Sequence, residues 1–332
     1  MKIRLFAAAL ALSAAGILGA AETQTVLTPD STLFTVTTSE DSNALQLTRR
    51  LGDTRELMAV PGTDDVAIET DPRLVYDSRN EMLFVVWHRA DGNVDEILFA
   101  TLNAKNEWST PQAITTSGGR HAGLQVILTT VKGKTFEESD TTLLNVAWWT
   151  INARQSVPEF AVVAFENRKH LSTYVDNLIE LANIKETEGD TEVEDTGNVE
   201  HPPLAMTRNE TGVDVVFGRD QSTALTRLRI EPRRVAGNAR MWRPVGKTGT
   251  TTGPARLVAV DSDPVQAFIS KSGRVVLYTP TSRFRFIVYD NGKWLPIRMI
   301  ELDGTVSSDE LVQQLHRTVE EMASPSSTQQ EE

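Results

Sequence analysis

Residues 71–115, DPRLVYDSRNEMLFVVWHRADGNVDEILFATLNAKNEWSTPQAIT, constrain the fold more than any other stretch. Four short apolar runs, 74–76, 82–87, 97–100 and 108–114, are separated by Asp77-Ser78-Arg79-Asn80, Ala90-Asp91-Gly92-Asn93 and Asn103-Ala104-Lys105-Asn106. Runs of this length suit strands, and the separators are residue types that tolerate turn dihedrals. The pattern predicts a four-stranded antiparallel unit. Such a unit cannot bury both faces alone, and radial repetition in a β-propeller is one way to supply its neighbours.

Weaker copies recur. Before the unit, 33–36, 45–47 and 57–60 make three strands closed by Pro61-Gly62. The missing fourth is expected from the other end of the chain, which would remove a free edge. After it, 124–128, 143–149 and 160–165 match its first three strands, and a third copy begins at His201-Pro202-Pro203, with 213–217 and 225–230 as its middle strands. Beyond 245, five strand patterns stand where four are expected: 256–258, 265–269, 275–278, 284–289 and 294–300. Trp87, Trp148, Phe217 and Leu277 end the best-matched second strands, at intervals of 61, 69 and 60 residues. Trp108 with Pro111, Trp242 with Pro244 and Trp294 with Pro296 form a second echo, in which proline suits an outer edge strand. In Trp148-Trp149 the two indoles point to opposite sheet faces, one into a core and one between sheets.

Where the second copy should have its fourth strand, Leu171, Tyr174, Val175, Leu178, Ile179 and Leu181 recur at helical spacing and predict about three turns of helix. The acidic run 186–200 follows, read as a solvated surface loop because no EF-hand spacing is present. Ser307-x-x-Glu310 is a capping-box pattern, and Leu311, Leu315, Val319 and Met322 form one apolar stripe. This helix is expected to dock on its own sheet. The expected fold is therefore all-β: a propeller of five or six four-stranded blades over 22–304, with a short helical and acidic insertion at 168–200. An amphipathic helix at 305–323 and a disordered polar tail at 324–332 complete the chain.

Lys2 and Arg4 precede an apolar run that ends in Gly19-Ala20-Ala21, the pattern of a secretory signal peptide cleaved after Ala21. The chain is expected to be periplasmic or secreted. It has no cysteine, which excludes disulfides, thiolate nucleophiles and thiolate metal sites. Losing Lys2 and Arg4 leaves 31 basic against 45 acidic residues and moves the net charge from −12 to −14. That balance argues against nucleic acid and anionic membrane surfaces as partners, and no membrane span is expected. A monomer is expected, with an unidentified small-molecule, glycan or protein ligand and no cofactor.

Thr101-x-Asn103-x-Lys105-x-x-Trp108 has the spacing of the Asp-box turn of bacterial neuraminidase repeats, as does, one residue shorter, Asp290-x-Gly292-x-Trp294. Over residues 30–300 the chain resembles a degenerate sialidase-like propeller. Asn103 stands in place of the aspartate and Lys105 of the glycine. In that family the box is a structural turn between the outer strands and carries no chemistry across. The resemblance also implies an arginine triad, a tyrosine nucleophile paired with a glutamate and an acidic proton donor, none of which a local motif locates. Tyr76, Tyr174, Tyr278 and Tyr289 all sit in patterned apolar segments.

If the strand order holds, the loops entering the first strands and leaving the second strands share one rim. His88, Arg89, His121, His201, Arg219 and Asp220 fall there and are the candidate ligand-binding residues. Imidazole can act as acid or base near neutral pH, and arginine can fork onto a carboxylate, so the rim suits an anionic or sugar ligand. No catalytic or metal-ligating residue is assigned. The expected function is a non-enzymatic ligand-binding or protein-interaction module; the alternative is a sialidase-like glycoside hydrolase or related carbohydrate-active enzyme.

Overall fold

The computed structural model describes residues 23–39, 42–63, 67–91, 94–115, 119–133, 139–152, 156–182, 203–219, 222–247, 250–251, 266–279, 284–300 and 308–322. The fold is all-β, built as five antiparallel sheets whose main path is four strands consecutive in sequence. The first sheet contains β1 (Thr23–Leu27), β2 (Leu33–Thr38), β3 (Leu45–Leu51) and β4 (Thr54–Ala59). The second contains β5 (Ile68–Asp77), β6 (Met82–Asp91), β7 (Val94–Leu102) and β8 (Gln112–Ala113). The third contains β9 (Arg120–Val131), β10 (Thr141–Ile151), β11 (Ser156–Glu166) and β12 (Lys169–Asn177), followed by the one-turn helix α1 (Leu178–Leu181). In the fourth, β13 (Leu204–Arg208), β14 (Val213–Arg219), β15 (Ser222–Val235) and β16 (Asn238–Gly246) are joined by β17 (Thr250–Thr251), which pairs with β15. The fifth has β18 (Gln266–Ile269), β19 (Val275–Thr279), β20 (Phe284–Asp290) and β21 (Lys293–Trp294), with β22 (Arg298–Ile300) also on β20. The chain closes with α2 (Ser308–Glu321).

Two compact units are distinguishable. One comprises residues 1–152, 159–176 and 232–244, the other 153–158, 177–231 and 245–332. In the first unit, β5 lies against both β1 and β9, so the first strands of successive sheets run side by side. The middle sheet buries both faces. On β6, Met82, Phe84 and Val86 join a core with Leu144, Val146 and Trp148 of β10 and Val163 and Phe165 of β11. The intervening Leu83, Val85 and Trp87 join a second core with Phe34 and Val36 of β2 and Leu45 and Leu47 of β3. Period-two alternation with two apolar sets explains why MLFVVW reads as an unbroken hydrophobic run. Trp148 and Trp149 are both fully buried. In the second unit, Val216 of β14 and Leu277 of β19 share a core with Val275 and Ile287, and β13 lies against β18.

Four expectations are corrected. The first sheet needs no strand from elsewhere: Thr23–Leu27 completes it, after a turn in which the Asp30 carboxylate binds Thr28 and Thr32. Its polar alternation beside the leader-like segment hid it. Lys169–Asn177 is a strand rather than the first turns of a helix. Asn167 and Arg168 take φ of 49° and 66°, the left-handed pair of a tight hairpin turn, and this returns the chain onto β11. Arginine is an unusual occupant of that conformation, which masked the turn. Only Leu178–Leu181 is helical, capped by Asn177 through its Oδ1 to Ile179 N at 2.7 Å. The run 294–300 splits into β21 and β22 around Pro296, which lacks the ladder donor. Run 108–114 likewise reduces to a bridge at Trp108 and the two-residue β8, with Pro111 between them. The acidic run 186–200, segments 1–22 and 324–332, and the strand pattern 256–258 lie outside the described residues.

α2 docks on the fifth sheet. Leu315 and Val319 are buried, the His316 ring lies 3.9 Å from Phe268, and Glu320 Oε1 accepts from Lys271 N at 2.6 Å.

Two substitutions probe this fold. Trp87→Ala should cost about 3–5 kcal/mol, since it empties the core between two sheets; urea unfolding measures it. Arg168→Gly should raise stability by about 1 kcal/mol by removing a side chain from a left-handed position, because the exposed ion pair it gives up with Glu81 contributes little. A lower urea midpoint for that variant would contradict the turn assignment.

Candidate functional site

In the first unit, the β5–β6–β7 and β9–β10–β11 strands bring a set of polar side chains together at one end of their sheets. Thr70 and His88 are cross-strand partners, next to a bulge between Thr70 and Arg73. Thr70 Oγ1 lies 3.0 Å from His88 Nδ1, and His88 Nε2 bonds Asp95 Oδ1. A carboxylate only accepts, so Nε2 carries a proton toward Asp95. The same Asp95 oxygen accepts from the His121 backbone N–H at 3.1 Å, tying β7 to β9.

His121 pairs across the ladder with Thr150. Its ring sits edge-on to both His88 and Trp148, 6.2 Å from each. Thr150 gives its one hydroxyl proton to Glu159 Oε2 and accepts from Trp148 Nε1 at 3.1 Å. The remaining contact, 3.2 Å to His121 Nδ1, must then run from the imidazole to the hydroxyl. His121 therefore carries its proton on Nδ1, and Nε2 is a buried lone pair with no hydrogen-bond partner. The residue is only 2% exposed. Burial lowers its pKa to about 4; Asp95 offsets part of this, and His88 adds to the lowering.

The neighbouring charges are held too. Arg89 Nε donates to the fully buried Glu69 at 2.9 Å and its Nη2 reaches the Gly62 carbonyl. Asp71, at φ 50°, pairs with Arg73 and accepts from Leu124 N at 3.1 Å, a second tie to β9. Hydroxyl, imidazole and carboxylate stand in the order of a nucleophilic triad. Thr70, however, lies within β5, and the His88 and Asp95 side chains are 14% and 17% exposed. The arrangement locks strands together, and His88 and Arg89 each keep a partly exposed side chain at this end of β6.

Of the residues expected on the rim, His88 and His121 come together here, their rings 6.2 Å apart; Arg89, the next residue on β6, points to the other face of the sheet, where it pairs with Glu69. Arg219 ends β14 in the other unit, and His201 and Asp220 lie outside the described residues. Sequence reasoning missed Thr70, Asp95, Thr150 and Glu159, since cross-strand partners leave no local spacing to read. Tyr278 is buried, donates to Gln266 Oε1 at 2.6 Å, and has its pKa raised by that burial. Tyr76 is raised as well, by burial and then by nearby carboxylates. Tyr289 packs edge-on to Trp294. Among the described residues no group of three His, Asp or Glu side chains is placed to hold a metal ion, and no helix is long and apolar enough to cross a membrane. No protein-family model matches the chain, and no curated protein matches it.

A histidine whose folded pKa lies below its unfolded value of about 6.5 binds fewer protons when folded. Its contribution is intact above that value and is lost as pH falls toward 4. Urea unfolding should show about 3 kcal/mol of destabilisation across this window. In His121→Gln that slope should flatten, whatever the variant's absolute stability.

Proposed function

We propose that this protein is a non-enzymatic extracytoplasmic β-propeller that binds a ligand or a partner protein at the end of the sheets bearing His88 and Arg89. The observation that carries the reading is the commitment of the reactive groups to internal bonds. His88 is held between Thr70 and Asp95, and Arg89 by Glu69. Tyr278 pairs with an amide, whereas a tyrosine nucleophile needs an adjacent base. The propeller reading draws on five consecutive four-stranded sheets and on first strands that lie side by side within each unit. The leader-like N-terminus supports the address.

A sialidase-like glycosidase is the second reading, favoured by the turn after β7. There Asn103 Oδ1 accepts from Lys105 N at 2.9 Å and Glu107 N at 3.0 Å, and Asn106 takes φ 62°. An asparagine thus organises a turn with the spacing of an Asp box.

The purified protein should not hydrolyse sialosides or aryl glycosides. Turnover lost on mutating one tyrosine to phenylalanine would establish the second reading instead. A carboxylated sugar that binds at this rim should raise unfolding free energy by about 2.7 kcal/mol at a hundred times its Kd. Arg89→Ala should abolish that gain, which thermal-shift titration reads directly.

A further inference from the structure

Net charge averages over the molecule, and the arginines are not distributed evenly in their pairing. Several arginines face carboxylates: Arg73 with Asp71, Arg79 with Asp140, Arg89 with Glu69, Arg274 with Asp290, and, at the start of β15, Arg227 and Arg229 with Asp214. The outer part of the β15–β16 ribbon, beyond Glu231, differs. Between Glu231 and Asp261 the chain has no acidic residue, while Arg233, Arg234, Arg240 and Arg243 fall within the ribbon. All four are exposed. No ion pair engages Arg234, Arg240 or Arg243 among the described residues. Arg234 is instead held over the Trp242 ring, its guanidinium carbon 5.3 Å from the centroid, and remains exposed. Trp242 is 4% exposed and its backbone N–H reaches Ser172 Oγ of β12 at 3.4 Å, which anchors the ribbon's base within the first unit. The tip, Ala236-Gly237-Asn238, is exposed and uncharged, with Gly237 at φ 78° forming the turn.

We infer that this ribbon is a docking arm for a phosphate-bearing surface, an anionic phospholipid bilayer. Guanidinium groups fork onto phosphate oxygens, and arginine rather than lysine supplies every positive charge on β15 and β16. The uncharged tip can enter the headgroup layer while the arms' arginines stay at phosphate level. A nucleic acid fits less well: base stacking needs an exposed aromatic, and the ribbon's one aromatic is buried beneath Arg234. The overall charge of −12 does not forbid this. At physiological salt the Debye length is about 8 Å, so a surface touching the ribbon feels the ribbon, and more distant carboxylates are screened.

The test is flotation of the full chain with vesicles of phosphatidylglycerol in phosphatidylcholine, against phosphatidylcholine alone. Binding should be confined to the anionic vesicles and fall as salt rises. Each arginine removed should weaken it about fivefold, and the triple Arg234→Glu, Arg240→Glu, Arg243→Glu variant by at least about a hundredfold. The corresponding triple lysine variant should keep most of the binding, which separates lost charge from misfolding; unchanged melting temperatures check the fold. Equal binding to both vesicle types, or a triple Glu variant that binds as well as the parent, would overturn the inference. So would displacement by millimolar inorganic phosphate, which would mark a discrete anion site, or arginine-dependent binding of an oligonucleotide without vesicle binding.

Discussion

The two-sided burial of β6 is the constraint on which the first unit rests. Six consecutive apolar residues cannot all face one core, because successive side chains on a strand point to opposite faces. Sheets must therefore stack on both sides, and they do: Met82, Phe84 and Val86 meet the third sheet, Leu83, Val85 and Trp87 the first. Burying one such aromatic or aliphatic side chain contributes about 1.5–3 kcal/mol, so no single-sided arrangement competes. The third sheet repeats the logic, since both alternating sets of β10 are buried, Leu144, Val146 and Trp148 on one face and Leu143, Ala147 and Trp149 on the other.

Apolar stacking fixes which faces meet but does not set how the sheets are aligned along their length. The carboxylates at both ends of the second sheet supply that. At one end Asp95 and Asp71 reach backbone N–H groups of β9. At the other, Asp77 accepts from Thr142 of β10 and from Asn80. Burial raises the Asp77 pKa, but the hydrogen bonds from Thr142, Asn80 and the turn amides outweigh it and hold it below the ordinary carboxylate value. In the second unit Asp214 holds Arg227 and Arg229 of the adjacent strand, and Arg227 in turn donates to the Gly273 carbonyl in the turn before β19 at 2.8 Å. Charged groups in this protein act chiefly as ties, and that is why groups that look reactive in the sequence are engaged once the strands pair.

The contrast with the β15–β16 ribbon follows from the same principle. A carboxylate placed next to an arginine removes most of its field at a distance, whereas Arg240 and Arg243, with no acidic residue between Glu231 and Asp261, keep theirs. Function in an acidic protein of this kind can reside in a local departure from its average charge.

The sequence by itself determined the all-β class, the four-strand period and most second strands, because alternation and turn chemistry are local. Trp87, Trp148, Phe217 and Leu277 fell in equivalent, buried second-strand positions for that reason. It also marked the docked C-terminal helix through a capping box and one apolar stripe. Only the tertiary structure decided the first strand of the opening sheet and the status of Lys169–Asn177, where hydrogen bonding to β11 overrode a helical spacing that Leu171, Tyr174, Val175 and Leu178 shared by chance. The rim could be named from loop positions, yet its chemistry could not. Whether His121 is an exposed base or a buried neutral ring depends on Asp95, Thr150 and Glu159, residues 26 to 38 positions away that pairing and sheet stacking bring to it.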